Sequence, residues 1–164
     1  MYIHVYMTFL ERVVRALEAH KVAFALAGGY AVALHGAVRG TVDVDLVIRL
    51  RKNDFVSAEA ALKGIGLAPR LPVTAEEVFQ FRKEYIERRH LIAWTFVNPD
   101  HPTEIVDILL TEDLSSHEIV RVRAAGLRIP VLGLADLIRM KKRSGRPQDL
   151  EDVRALESLR KRKA

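Results

Sequence analysis

The chain has 164 residues, 49% of them hydrophobic, which is the scale of one domain with a substantial core. It has no cysteine, which excludes a disulfide framework, a thiol nucleophile and a cysteine zinc site. The formal net charge of +5 is uneven: residues 139–164 hold ten Lys/Arg against four Asp/Glu, a balance that attracts polyphosphate or nucleic acid, although residues 160–163 taken alone read as a solubilising helix end.

The first ten residues are apolar but lack the basic start and long apolar run of a signal peptide. Phe9, Val13, Val14 and Leu17 fall at helical spacing. Residues 23–27 form a short apolar run that reads as a buried strand stopping at Gly28-Gly29. Residues 30–35 then predict a short helix ended by Gly36. The longest apolar stretch, residues 22–38, is interrupted by Gly28, Gly29, His35 and Gly36 and is too short to span a membrane. The expectation is a soluble, cytoplasmic protein with no membrane partner.

Residues 41–50, TVDVDLVIRL, alternate polar and apolar, with Thr41, Asp43 and Asp45 on one face and Val42, Val44 and Leu46 on the other. This is strand periodicity with a carboxylate-bearing face. Asn53 or Asp54 is the expected cap of a helix to about Leu62, and residues 75–89 predict a charged helix. Residues 91–97 and 104–110 are rich in β-branched and aromatic side chains around the turn sequence Asn98-Pro99-Asp100-His101-Pro102, so they predict an antiparallel pair. Residues 119–131 form either one more hairpin or a helix end and a strand. Residues 135–143 and 148–160 read as two helices, with Pro147 at the first turn of the second. The predicted fold class is α/β (α+β), a small mixed sheet with flanking helices and a C-terminal helix pair. Residues 1–132 form the core, and the basic residues 133–164 pack on it within one domain.

Three features carry chemistry. Asp43 and Asp45 are i and i+2 on a strand, so they share a face with Cα atoms about 6.7 Å apart. Two such carboxylates repel unless a cation neutralises them, and a hard divalent ion with oxygen ligands does so. Asp107 is a lone carboxylate in an otherwise apolar strand, a costly placement unless it faces solvent, a partner or a metal. If its strand neighbours that of Asp45, all three carboxylates share one face, and Asp107 could ligate metal or take a proton from an attacking hydroxyl. Gly28-Gly29 lets the backbone approach a phosphate closely. Taken singly, a Gly-Gly turn is more often only a turn, and an Asp-x-Asp strand more often a solvated face.

Together these features resemble the DNA polymerase β nucleotidyltransferase superfamily. The matching residues are Ala27-Gly28-Gly29, thirteen intervening residues, Asp43-Val44-Asp45-Leu46, and the later Asp107. A finer resemblance is to small bacterial nucleotidyltransferases of the AbiEii toxin-like type, in GGYAVALHG, in Arg39-Gly40-Thr41-Val42-Asp43-Val44-Asp45, and in the distal Asp136, Lys141, Arg146, Asp149 and Asp152. The chain is shorter than full AbiEii toxins. The resemblance implies a nucleotidyltransferase fold and transfer of a nucleoside monophosphate from an NTP to an acceptor hydroxyl or phosphate, with release of pyrophosphate. It assigns Gly28, Gly29, Arg39 and Thr41 to the nucleotide and Asp43, Asp45 and Asp107 to Mg²⁺ or Mn²⁺. Lys141 becomes the phosphate or transition-state cation, oriented by Asp149, while Asp152 supports the helix pair. For Lys141 and Arg146 a solvated helix face is an even alternative. The implied acceptor is RNA, including tRNA, or a protein, and an antitoxin protein is the implied partner of a toxin.

Two other readings stand beside it. One is a small-molecule, antibiotic-type nucleotidyltransferase, since lincosamide-type enzymes are similarly short. The other is an idle nucleotide- or partner-binding module, against which three mutually repelling acids argue. His35, Trp94 and Phe96 read as packing residues. Ser115-Ser116-His117 has no matching acid in the pattern that a nucleophilic triad needs and reads as a loop or helix cap.

Overall fold

The structure is a computed structural model describing residues 2–37 and 43–163. Helix α1 (Tyr2–Ala19) leads into β1 (Phe24–Ala27), whose four residues are all buried. Helix α2 (Gly28–Leu34) follows without a spacer, so it begins at the glycine pair rather than beyond it. Strand β2 (Val44–Ile48) starts one residue after Asp43, which therefore lies at the strand's mouth. Helix α3 (Lys52–Gly64) starts after Arg51, with no side-chain cap. Asp54 instead sits in its first turn and accepts from Arg49 Nη2 at 2.9 Å.

Strand β3 (Ala68–Pro69) is a two-residue edge that no periodicity announces. The charged helix of residues 75–89 is two helices, α4 (Ala75–Gln80) and α5 (Arg82–Arg89), broken at Phe81. Thr74 and Glu77 close a reciprocal capping box at the start of α4. Strands β4 (Ala93–Val97) and β5 (Ile105–Leu109) form the expected antiparallel pair. After a short 3₁₀ turn (Leu114–Ser116), β6 (Ile119–Ala124) and β7 (Leu127–Leu132) form a hairpin, which resolves the open reading of residues 119–131. Helices α6 (Leu134–Ser144) and α7 (Pro147–Lys163) complete the chain and pack on each other, with Pro147 opening α7.

The strands make one seven-stranded mixed sheet in the order β3-β4-β5-β2-β1-β7-β6. Its two faces differ in chemistry because strand side chains alternate. On one face Trp94 and Phe96 are buried, and Trp94 stacks on Phe55 of α3 with ring centroids 5.9 Å apart. Both aromatics are core residues, as their strand spacing suggested. On the other face lie Thr95, Asp107 and Asp45, successive partners across β4, β5 and β2. Helix α2 packs against β2, β7 and α6 beside them. The apolar face thus anchors the strands while the polar face remains available for a cleft. No helix among the described residues is long and apolar enough to cross a membrane.

Candidate active site

The alternation in β2 and β5 sends Val44, Leu46, Val106 and Ile108 into the core, each fully buried, and leaves Asp45 and Asp107 on the opposite face. The two strands are parallel neighbours, and Asp45 pairs in register with Asp107. The assumption on which Asp107 depended in the sequence therefore holds. On the other side of β2, Asp45 faces Ala27, the residue before Gly28. Gly28, Gly29, Asp43, Asp45 and Asp107 consequently line one open cleft of about 780 Å³. Residues 38–42, and so Arg39 and Thr41, lie outside the described residues.

Gly28 has φ +62°, a left-handed conformation that L side chains adopt with difficulty. A Cβ there would fall 1.8 Å from Asp45 Oδ2. The glycine is needed both for the turn out of β1 and for the space Asp45 fills. Thr95 Oγ1 donates to Asp107 Oδ1 at 2.5 Å, fixing one oxygen of that carboxylate and leaving the other for a second partner.

The electrostatics reflect crowding of like charge. Burial raises Asp45 to about 7, with further upward pushes from Asp107 and Asp43 that Lys141 and Arg146 oppose. Asp43 is also raised, chiefly by burial and then by Asp107, with Arg70 pulling the other way. Arg70 follows edge strand β3 and its N–H donates to the Thr95 carbonyl at 2.8 Å. It is a site cation that sequence inspection missed, because its nearness to Asp43 comes from sheet pairing alone. Thr95 was missed for the same reason.

Hard carboxylate oxygens are the donor set that Mg²⁺ or Mn²⁺ prefers. The three aspartates fit such an ion by type and by shared face, and it would relieve the repulsion that Asp107 exerts on Asp45 and Asp43. As their side chains stand, no trio of His, Asp or Glu among the described residues closes tightly enough to enclose an ion. Binding would require side-chain rotation at the sheet mouth.

The far wall comes from α6 and α7. Lys141 is buried, with Nζ 3.0 Å from Asp152 Oδ2 and 3.3 Å from Asp149 Oδ1. Asp149 also accepts from Arg146 Nε at 2.8 Å and from the Arg146 backbone N–H at 3.2 Å. Burial pushes Asp149 up, but these bonds and the charges of Lys141 and Arg146 together hold it below the usual carboxylate range. Lys141 is thus a cation locked between two acids rather than a solvated helix residue. The Arg146 side chain is 76% exposed against 11% for Lys141, so of these two cleft-lining cations Arg146 is the more open.

His35 is buried, and its Nε2–H donates to the Leu132 carbonyl at 2.8 Å, a packing role at the end of α2. His117 has two acid neighbours, one from its own segment and one from α6. Its Nε2 lies 2.9 Å from Glu112 Oε1 and its Nδ1 3.4 Å from Asp136 Oδ2. Ser115 Oγ is bonded to Asp113 Oδ1 at 2.6 Å instead, and the cap of the 3₁₀ turn is Asp113. Glu112 reaches the outer end of the cleft beside Arg143.

No protein-family profile matches the chain, and no curated protein matches it. Solved structures do. The antibiotic-resistance factor ANT(2'')-Ia superposes with a TM-score of 0.62 over 93% of this chain and 88% of its own, at 13% identity. The lincosamide adenylyltransferase LnuA, lincomycin-bound, gives 0.61 over 93% and 96%, at 16% identity. A Thermotoga maritima protein assigned as a nucleotidyltransferase gives 0.60 over 91% and 90%, at 17% identity. The chain has the nucleotidyltransferase fold, and the strands bearing Asp45 and Asp107 belong to it.

Proposed function

We propose that the chain is a metal-dependent nucleotidyltransferase that moves a nucleoside monophosphate from an NTP to an acceptor hydroxyl and releases pyrophosphate. The observation that carries this reading is the in-register pairing of Asp45 with Asp107 on a cleft face that Asp43 and Gly28 share.

The roles follow from position. Gly28 and Gly29 offer backbone without side chains to the β- and γ-phosphates. Asp43 and Asp45, with the free oxygen of Asp107, would hold Mg²⁺ or Mn²⁺. That ion supplies charge neutralisation at the transferring phosphoryl group and its oxygens. Asp107, held by Thr95, also accepts the proton of the attacking hydroxyl. Arg146, open to the cleft, steadies the departing pyrophosphate. Lys141 positions Asp149, which aims Arg146, and its own charge lowers the cost of ionising Asp45. Arg39 and Thr41 are assigned to the nucleotide on their sequence motif alone.

The finer AbiEii-like reading, with an RNA or protein acceptor and an antitoxin partner, is supported by GGYAVALHG and by the Arg39–Asp45 motif. The small-molecule reading has its own support, because ANT(2'')-Ia and LnuA are antibiotic-directed neighbours of this fold. One experiment separates them. The protein is incubated with Mg²⁺ and each α-³²P NTP, in turn with total RNA, tRNA, total protein, an aminoglycoside and a lincosamide. Label that appears with one acceptor and vanishes in Asp43→Ala/Asp45→Ala names the acceptor class. Label equal in wild type and variant defeats the enzyme reading, and NTP binding without turnover leaves the idle module.

A further inference from the structure

The β6–β7 hairpin breaks a local rule. Arg123 lies directly across from Arg128, and like charges in a cross-strand pair destabilise a sheet. Arg121, two residues before Arg123, shares their face. All three are exposed, and no acidic side chain among the described residues pairs with any of them. The hairpin is tight: Ala125 and Gly126 both take positive φ, so a two-residue turn holds the arginines on a stiff ribbon.

Register relates this face to the cleft. Leu26 of β1 pairs with Val131 of β7, so Leu132 and Pro130 point to the side of Ala27 and Asp45. Arg121 pairs with Pro130 and therefore points the same way. The arginines share the catalytic face of the sheet, Arg128 on β7 beside β1 and Arg121 and Arg123 on the edge strand β6 beyond it, with Arg123 and Arg128 towards the end of the sheet at which β1 starts.

A second basic element meets the hairpin at its other end. Helix α7 finishes with Arg160, Lys161, Arg162 and Lys163, all exposed. Helix-dipole complementarity accounts for cations there but not for their neighbours. The α7 end sits by the end of α2: a Cβ on Gly36 would lie 3.7 Å from Leu159 Cδ2, and the Lys163 charge acts on His35. His35 in turn bonds Leu132, which pairs with Ile119 at the start of β6. The basic end of α7 is thus linked through the end of α2 and Leu132 to Ile119 of β6, two residues before Arg121.

We propose that the β6–β7 hairpin face (Arg121, Arg123 and Arg128) and the end of α7 form a track for the phosphodiester backbone of RNA, which runs along the sheet face towards the cleft, where the RNA is the acceptor. Repeated guanidinium forks on alternate residues suit a chain of regularly spaced phosphates. A bound polyanion removes the Arg123–Arg128 repulsion that the free protein bears. The inference rests on the nucleotidyl-transfer reading for what the RNA is used for, though not for whether it binds.

The test is fluorescence anisotropy with fluorescein-labelled tRNA in EDTA, where no transfer occurs. Wild type is compared with Arg121→Glu/Arg123→Glu/Arg128→Glu and with Arg160→Glu/Lys161→Glu/Arg162→Glu/Lys163→Glu. Each variant is expected to weaken binding by about tenfold or more and to flatten the salt dependence by roughly two to three released counterions. Melting temperature and Mg·ATP binding by calorimetry are expected to stay at wild-type values. Milder Arg→Gln versions, expected to show the same order of loss, guard against misfolding of the charge-reversed proteins. Equal affinity in wild type and the hairpin variant overturns the proposal. So does competition by poly-glutamate as effective as unlabelled tRNA, which would indicate an acidic protein partner. Asp45→Asn keeps tRNA binding if the track exists. Hairpin-dependent binding with no labelling of any acceptor therefore removes the enzyme reading alone, and labelling without hairpin-dependent binding removes the track alone.

Discussion

Gly28 and Asp45 occupy complementary space: a methyl group on the first would lie 1.8 Å from Oδ2 of the second. The two residues are seventeen apart in sequence and meet because β1 and β2 run antiparallel with Ala27 opposite Asp45. A phosphate-approaching turn and a metal-type carboxylate are therefore one structural unit.

Gly28→Ala is expected to act on both halves of that unit. The left-handed backbone penalises an L side chain by about 1–2 kcal/mol, and the displaced Asp45 lowers NMP transfer by roughly 10²-fold or more, the usual effect of a 1 Å misplacement. Chemical denaturation and a labelling assay read the two losses separately. A variant with wild-type turnover would show that Asp45 does not need its present position.

Asp45 makes the metal-free protein sensitive to pH. Its folded value is about 7 against the usual 3.8, so the folded state holds its proton more tightly. Below about pH 4 both states are protonated and nothing is lost. As pH rises towards 7 the unfolded state ionises more readily, and folding stability falls on this account. Above 7 the deficit is constant, on the order of 4 kcal/mol at most. Melting curves in EDTA should decline across this window for wild type and less for Asp45→Asn, and Mg²⁺ should restore wild type most at the high end. Parallel curves for the two proteins would contradict this.

Lys141→Met strands Asp149 and Asp152 as buried acids without their shared cation. Breaking such a pair costs about 3 kcal/mol or more, visible as a lower urea midpoint. Adding Asp149→Asn and Asp152→Asn should recover most of that stability, because neither side chain is then a buried charge that has lost Lys141. Activity should not return, since Arg146 has lost the carboxylate that aims it. Recovery of activity together with stability would assign Lys141 a purely structural role.

Thr95→Val removes the hydroxyl bound to Asp107 at 2.5 Å. Partners that orient a metal-binding carboxylate are worth about 10–100-fold in metal affinity or activity. The expected result is a tenfold-scale rise in the Mg²⁺ concentration needed for half-maximal transfer, with little change in melting temperature. An unchanged Mg²⁺ dependence would remove Asp107 from the metal set.

Periodicity made much of the fold legible. The alternation in residues 41–50 and the β-branched, apolar run of residues 104–110 around Asp107 identified two acid-bearing strands, and the Asn98–Pro102 turn paired β4 with β5. Gly36, Pro147 and the apolar spacing of Phe9 to Leu17 located helix ends and faces. Such signals are local and survive in sequence because backbone conformation and burial repeat every two or 3.6 residues. The break at Phe81 was not legible, since the segments on either side of it are both helix-forming and no Gly or Pro separates them, and neither was β3, which exists only by pairing with β4.

The sequence by itself determined which residue types are available for phosphate and metal chemistry: the glycine pair, three aspartates and the cations of the last two helices. Only the tertiary structure decided which of them meet. Parallel pairing of β2 with β5 set Asp107 beside Asp45, packing of α6 on α7 locked Lys141 between two acids while leaving Arg146 open, and sheet order brought Thr95, Arg70 and the hairpin arginines to the same face. The physical reason is that neighbours across a sheet or a helix pair are chosen by burial of the apolar face as a whole. No single stretch of sequence records that choice.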